Sequence, residues 1–202
     1  MMFNTDLLIY AAHAAFWGSF GFTRKLTRTA ADEPAEQVAG EQVARHDETA
    51  RFSRAVLGFH MLAFGVMYFG LGNAVIPNRV PTLFPGQRIV GCAVIALGAA
   101  LMCWAVAFFH SWRFRAKLDQ GHQLATAGPF ALLRHPIYMG LNLLSLGTAI
   151  WVPTAIVWVG FILMVIGGDL RARSEESLLT RVFGAVYTDY CAHTRRFIPG
   201  LY

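Results

Sequence analysis

Residues 137–168 read IYMGLNLLSLGTAIWVPTAIVWVGFILMVIGG, a run without Lys, Arg, Asp, Glu or His. At about 1.5 Å per residue such a run makes roughly 48 Å of helix, too long for one crossing of a hydrocarbon core of about 30 Å. Pro153 stands near its middle, where the missing N–H and the ring clash break a helix. The run therefore predicts a helical hairpin of two short spans, 137–152 and 154–169. Spans of that length need a thinned bilayer, snorkelling flanks or a partly interfacial seat. A hairpin also returns the chain to the side it left. It brings the cassette before it, Arg134-His135-Pro136-Ile137-Tyr138, and the cassette after it, Arg171-Ala172-Arg173-Ser174-Glu175-Glu176, to one membrane face. An anion-binding Arg, a proton-carrying His and paired carboxylates then stand within reach of one small polar ligand.

Composition agrees with a membrane setting. Hydrophobic residues make up 55% of the 202 residues and charged ones 14%, and the mean hydropathy is +0.45, above the range of ordinary soluble domains. Three further apolar segments lie at about 6–22, 55–76 and 89–110. The predicted fold class is all-α: a polytopic membrane protein of about five transmembrane helices with a C-terminal cytosolic helical cap, forming a single membrane domain over 1–202. No basic region precedes the first apolar segment and no A-x-A site closes it, so it reads as a retained span. Of the 17 Lys and Arg residues, fifteen fall in segments 23–54, 111–136 and 171–202, and only Arg79 and Arg88 fall between the other spans. The positive-inside rule then makes the C-terminus and the mouth between the two cassettes cytoplasmic. Basic residues facing anionic headgroups account for the net charge of +5 without a nucleic-acid partner.

Other features carry little chemistry. Cys92, Cys103 and Cys191 form no C-x-x-C pair, so neither a disulfide framework nor a metal site is expected. Segment 23–54, with six acidic and six basic residues, reads as a polar, solvated cytosolic loop, in part helical. Gly70-Leu71-Gly72 lacks the preceding strand of a dinucleotide loop and reads as helix packing. Gly140 and Gly147, and likewise Gly160 and Gly167, recur at seven-residue intervals on one helix face, where close helix approach is expected. Trp17, Trp112 and Trp151 sit near predicted ends as interfacial aromatics do, with Trp104 and Trp158 inside spans. His60, inside a span, must find a partner, for which a hydrogen bond to a neighbouring helix ranks ahead of a site role. His13 and His110 lie nearer the interfaces.

The stretch Gly121-His122-Gln123-Leu124-Ala125-Thr126-Ala127-Gly128-Pro129-Phe130 is a turn-rich approach to Arg134, and Pro136 suits the first turn of a helix. Free N–H donors in such turns and helix starts suit a carboxylate or a ribose hydroxyl. Glu175 and Glu176 are adjacent, about 100° apart around a helix, so at most one faces a given ligand squarely.

Gly128-Pro129-Phe130, Arg134-His135-Pro136-Ile137-Tyr138-Met139-Gly140, Arg173-x-Glu175-Glu176, Phe183-Gly184, Tyr187, Tyr190 and Ile198-Pro199 together resemble the isoprenylcysteine carboxyl methyltransferase and phospholipid N-methyltransferase superfamily. The resemblance covers about 121–202, which it marks as a cofactor-binding and catalytic region. Members are integral membrane enzymes that methylate lipidic or small acceptors with S-adenosylmethionine. The resemblance implies that His135, Pro136 and Tyr138 contact the cofactor, and that Arg173 with Glu175 or Glu176 binds its amino-acid end or lies beside the acceptor. Phe130 replaces the Tyr often found after Gly-Pro, which removes a hydroxyl and keeps the aromatic surface.

The residue types fit that chemistry. The expected cofactor-binding set is Gln123, Leu124, Gly128, Arg134, His135, Pro136, Tyr138, Arg171, Arg173, Glu175 and Glu176. The expected catalytic set is His135, Arg173, Glu175 and Glu176. A sulfonium calls for aromatic or carbonyl faces, a carboxylate for Arg, an ammonium for a carboxylate. Methyl transfer is an in-line displacement that demands alignment and exclusion of water. An ionised carboxylate or thiolate acceptor needs no general base, whereas an amine or thiol could use His135 or a Glu. O-, N- and S-methylation therefore stay open. Two rivals stay open too. The tail Tyr190-Cys191 and Arg196 to Tyr202 also resembles membrane sterol reductases, which use a reduced dinucleotide, although Glu175-Glu176 is the wrong charge for a phosphorylated one. The other is a non-enzymatic accessory subunit whose cassettes only finish helices.

Overall fold

The computed structural model describes residues 4–27, 43–108 and 124–202. Its helices are α1 (Leu8–Thr27), α2 (Val43–Val75), α3 (Gln87–Phe108), α4 (Pro136–Trp151), α5 (Ala155–Phe183) and α6 (Ala185–His193), with short 3₁₀ turns at Thr5–Leu7 and Gly128–Ala131. The protein is an all-α membrane protein. Among the described residues, three helices are long and apolar enough to cross a membrane: Ala55–Val75, Gln87–Phe108 and Ala155–Phe183. Helix α1 carries Arg24 and Lys25 in its last turn, and α4 has only 16 residues. The expected break at Pro153 is present, α4 ending at Trp151 and α5 starting at Ala155. Helix α5 continues well past the apolar run, so the Arg171–Glu176 cassette is two further turns of the same helix. The polar segment 23–54 is shortened at both ends, because α1 runs to Thr27 and α2 begins at Val43.

Glycine sets the register of both main helix contacts. On α3 and α4, a Cβ at Gly91 would meet the carbonyl of Gly147 at 2.7 Å, and one at Gly98 would meet that of Gly140 at 2.7 Å. The two seven-residue glycine pairs thus face each other in antiparallel register, with backbones closer than any side chain permits. On α2 and α5, Gly160 abuts Met67, Gly167 abuts Phe59 and His60, and Gly70 abuts Ile156 and Val157, again antiparallel. The close approach expected of Gly140, Gly147, Gly160 and Gly167 is what the bundle shows. Large apolar side chains such as Ile89, Phe69 and Ile162 stay exposed on the outer faces, as a lipid-facing surface requires.

Several polar groups inside the bundle are paired across helices. Trp17 Nε1 donates to the Tyr68 hydroxyl at 3.1 Å, that hydroxyl lies 2.9 Å from His13 Nδ1, and His13 Nε2 lies 2.8 Å from Thr148 Oγ1, whose own proton goes to the Leu144 carbonyl. Since Thr148 donates elsewhere, His13 must donate from Nε2, and Nδ1 accepts from Tyr68. His13 is thus an interior residue, buried at 3% exposure. At the end of the bundle that holds the hairpin tip, Arg88 pairs with Asp6 through both carboxylate oxygens at 2.5 and 3.0 Å, and Trp151 Nε1 donates to Asp6 at 3.0 Å. Trp151 is therefore buried structure at this end, because its N–H finds a carboxylate that water would otherwise have to solvate. Trp112 and His110 lie outside the described residues.

Candidate active site

Both cassettes meet at the opposite end. Pro136 opens α4 as its first residue, with His135 as the preceding cap. The segment before it is pinned to the tail by a parallel bridge between Leu133 and Arg195, in which the Arg134 N–H donates to the Arg195 carbonyl (2.8 Å) and that of His135 to the Arg196 carbonyl (3.2 Å). Gly184, at φ +53, lets the chain turn from α5 into α6. That turn lets the tail return over the start of α4.

Glu176 is the centre of an ion cluster. Its Oε1 accepts from Arg134 Nε at 2.9 Å and from Arg196 Nε at 3.1 Å, and lies 3.2 Å from His135 Nε2; Oε2 accepts from Arg196 Nη2 at 2.6 Å. Arg134 also donates through Nη1 to the carbonyls of Cys191 and Thr194. The hydrogen bond to Glu176 raises the Arg196 guanidinium above its ordinary value. Glu176 therefore ties α5, the start of α4 and the tail together, with its lone pairs largely used.

Glu175 points elsewhere. It accepts a hydrogen bond from the Tyr138 hydroxyl, and that hydroxyl in turn accepts one from Arg171 Nε at 2.7 Å. Arg171 Nε also lies 3.5 Å from Glu175 one helical turn on, and His135 Nδ1 lies 3.6 Å from its other oxygen. The Glu175 side chain is 27% exposed against 15% for Glu176, so it is the carboxylate with room for a further partner. The Tyr138 ring stacks on His135 (5.7 Å between centroids, 19° between planes), carries the Arg171 guanidinium 5.7 Å above it, and has His60 of α2 at 6.4 Å. Phe197 adds a second aromatic face beside His135 at 6.1 Å.

The other expected residues are distributed around this centre. Arg173 is 59% exposed and sits apart from Tyr138, donating to Asp169 at 2.6 Å and to the Tyr202 hydroxyl at 2.9 Å. Gly128, at φ +61, presses against the Phe108 ring, where any Cβ would collide at 2.7 Å. Leu124 is half-buried in the approach to this turn, and Gln123 lies outside the described residues. Phe130 is buried, and its carbonyl accepts from the Tyr190 hydroxyl at 2.6 Å. Burial pushes Tyr190 up to about 12. Three residues join the cluster that the cassettes alone do not indicate: Asp169, Arg196 and Tyr202. Arg196 bridges Glu176 to Asp169 (2.9 Å) and to the Tyr202 hydroxyl (2.6 Å). Asp169 was legible as the first charge after the apolar run, four residues before Arg173, the spacing of a helical ion pair. Arg196 and Tyr202 reach the cluster only through the folded tail. Among the described residues no group of His, Cys, Asp and Glu is arranged to hold a metal ion.

Fold and site together define a membrane helix bundle with a compact cluster of charged residues at one end, built from the start of one short helix, the polar turns of another and the returning tail. Comparisons with known proteins agree. The family model for phospholipid methyltransferase matches residues 87–186, from α3 into α6. Protein-S-isoprenylcysteine O-methyltransferase B of Arabidopsis thaliana is 29% identical over 115 residues, covering 54% of this chain and 57% of that protein. The A form of the same plant is 28% identical over 129 residues, covering 58% and 64%. The Saccharomyces cerevisiae protein-S-isoprenylcysteine O-methyltransferase is 30% identical over 107 residues, covering 50% and 44%. The chain thus spans less than two thirds of the length of each of these relatives. It belongs to the isoprenylcysteine carboxyl methyltransferase and phospholipid methyltransferase superfamily.

Proposed function

We propose that this chain is an integral membrane methyltransferase that uses S-adenosylmethionine to methylate a lipidic or small hydrophobic acceptor at the cytoplasmic membrane face. The observation that carries this reading is the division of labour between adjacent carboxylates: Glu176 is consumed by Arg134, His135 and Arg196, while Glu175 is left with Tyr138 and Arg171 on the more open side. The donor set fits the cofactor's groups. Glu175 would take its ammonium, Arg171 its carboxylate, and the Tyr138, His135 and Phe197 rings the face next to its sulfonium. When bound, the cofactor supplies an electrophilic methyl group on sulfur. What the protein contributes is alignment, because the two cassettes are tied to each other and to the tail. Charge supports the assignment against a phosphorylated dinucleotide, whose phosphates would meet Glu175 as the open carboxylate, Glu176 and Asp169 being already neutralised by Arg134, Arg173 and Arg196. The single domain over 1–202, the five crossings and the cytoplasmic position of the cap belong to the same proposal and rest on the charge asymmetry of the loops.

The test is calorimetric titration of the purified protein in detergent with S-adenosylhomocysteine and, separately, with a reduced dinucleotide. Saturable binding of the first alone is expected. Binding of the dinucleotide without S-adenosylhomocysteine would overturn the reading.

A further inference from the structure

Arg196 holds His135 in two places. Its carbonyl accepts the His135 N–H at 3.2 Å, and its guanidinium grips both oxygens of Glu176, at 3.1 and 2.6 Å, while Glu176 Oε1 lies 3.2 Å from His135 Nε2. The guanidinium is itself fixed from behind: Nη1 donates to Asp169 at 2.9 Å and to the Tyr202 hydroxyl at 2.6 Å, and that hydroxyl donates to Asp169 at 2.9 Å. The Tyr202 carbonyl closes the loop by accepting from the N–H groups of Phe197 and Ile198. Arg196 and Tyr202 lie beyond the stretch matched by the family model, which ends at residue 186. The His135 ring nevertheless rests on them through Glu176.

This contact fixes a proton. With Arg134 and Arg196 both donating to it, Glu176 is ionised, and an ionised carboxylate only accepts. His135 Nε2 therefore carries a hydrogen. Its Nδ1 faces Glu175 Oε2 at 3.6 Å, beyond hydrogen-bond range. The charged and titratable groups around the ring are Glu175, Glu176 and Arg171 of α5, Tyr138 of α4, Arg134 ahead of it, and Arg196 of the tail behind Glu176. Three guanidiniums thus answer two carboxylates, and no surplus negative charge calls for an imidazolium.

We propose that Arg196 is a positioning residue: acting through Glu176, it holds His135 as a neutral imidazole protonated on Nε2 and so keeps Nδ1 as an acceptor beside Glu175. Two neighbouring acceptors suit one donating group, the ammonium of the methyl donor; that use of the pair rests on the methyltransferase reading. Without Arg196, Glu176 keeps Arg134 alone, and its charge draws a second proton onto His135. The new Nδ1–H then turns to Glu175 and competes with the ammonium for it.

The experiment uses the full chain in lipid nanodiscs with ¹⁵N-labelled histidine rings, the His135 resonances being assigned by their loss in His135→Gln. In the native protein near neutral pH, Nε2 is expected to resonate as a protonated nitrogen and Nδ1 as an unprotonated one. A hydrogen on Nδ1 overturns the proposal. Arg196→Gln is expected to protonate both nitrogens in a larger share of molecules at the same pH and to weaken S-adenosylhomocysteine binding about tenfold. That loss should shrink as pH rises well above about 6.5, the ordinary imidazole midpoint. Arg196→Lys, which keeps the charge, should restore the native ring state. A lower unfolding temperature in Arg196→Gln with the ring state unchanged would make Arg196 structural only and overturn the proposal. Tyr202→Phe loosens the guanidinium without removing it and serves where Arg196→Gln does not fold; it should move the same resonances the same way by less, and no movement counts against the proposal. A native protein with the expected ring state that binds no S-adenosylhomocysteine removes the methyltransferase reading and leaves the positioning role.

Discussion

Glu176 accepts from Arg196 through both of its oxygens, at 3.1 and 2.6 Å, and this pair joins the C-terminal part of α5 to the returning tail. Its neighbour Glu175 makes none of these contacts and faces Tyr138 and Arg171 instead. Two residues alike in sequence therefore divide into one that holds the cap together and one that faces the proposed ligand.

Glu176→Gln is expected to destabilise the protein by about 3–5 kcal/mol, since it leaves Arg134 and Arg196 partly buried without their counter-charge. Glu175→Gln should cost at most about 1 kcal/mol. It should nevertheless weaken S-adenosylhomocysteine binding by roughly tenfold or more, the loss of one charge-assisted hydrogen bond. Thermal unfolding in detergent, compared with calorimetric affinity, separates the two effects. The reverse pattern would exchange the roles.

Arg171→Ala is expected to weaken S-adenosylhomocysteine binding more than Arg173→Ala. Arg171 touches Tyr138 and Glu175, whereas Arg173 is exposed and paired to Asp169 and Tyr202. Equal losses in the two variants would bring Arg173 into the site.

Gly147→Val and Gly160→Val should each cost about 1–3 kcal/mol or more, because a Cβ would stand 2.6 Å from the Gly91 carbonyl or 2.8 Å from the Met67 backbone. Gly65→Ala, where nothing lies within 4 Å, should be neutral or slightly stabilising. Loss of unfolding temperature in all three alike would contradict the glycine register.

Tyr68→Phe removes a hydroxyl shared by Trp17 and His13. Interhelical hydrogen bonds of this kind contribute about 0.6 kcal/mol on average and up to about 1.7, so a loss of about 1–2 kcal/mol is expected. Unfolding measured in the same detergent as the native protein checks it.

Tyr190 contributes a pH dependence. An unperturbed tyrosine ionises near pH 10, and burial raises this one to about 12. The fold thus favours the neutral phenol: its contribution is fully present below about pH 10 and is lost as pH rises toward 12. Tyrosinate absorbance of native protein at pH 11 should change little in Tyr190→Phe, and the difference between the two should emerge nearer pH 12.

Much of this arrangement is legible in the chain itself. Pro153 inside an uncharged run predicts the hairpin, and the seven-residue spacing of Gly140, Gly147, Gly160 and Gly167 predicts which faces come close, because helix geometry is local and periodic. Trp151 ends α4 as expected, but its burial, like that of His13, is not legible in the sequence, because it depends on Thr148, Tyr68 and Asp6 arriving from other parts of the chain. For the same reason Arg196 and Tyr202 could be seen in the tail without any sign that they close the cluster.

The sequence by itself determined that this is a helical membrane protein, that its apolar run doubles back, and that two charged cassettes end up on one face. These follow from hydropathy, a proline and the sign of the loop charges. Only the tertiary structure decided that Glu176 is locked and Glu175 open, and that Arg173 turns outward. Adjacent helical residues differ by about 100° in direction, so their roles are set by what lies opposite, and here the opposing groups come from 20 to 42 residues away along the chain.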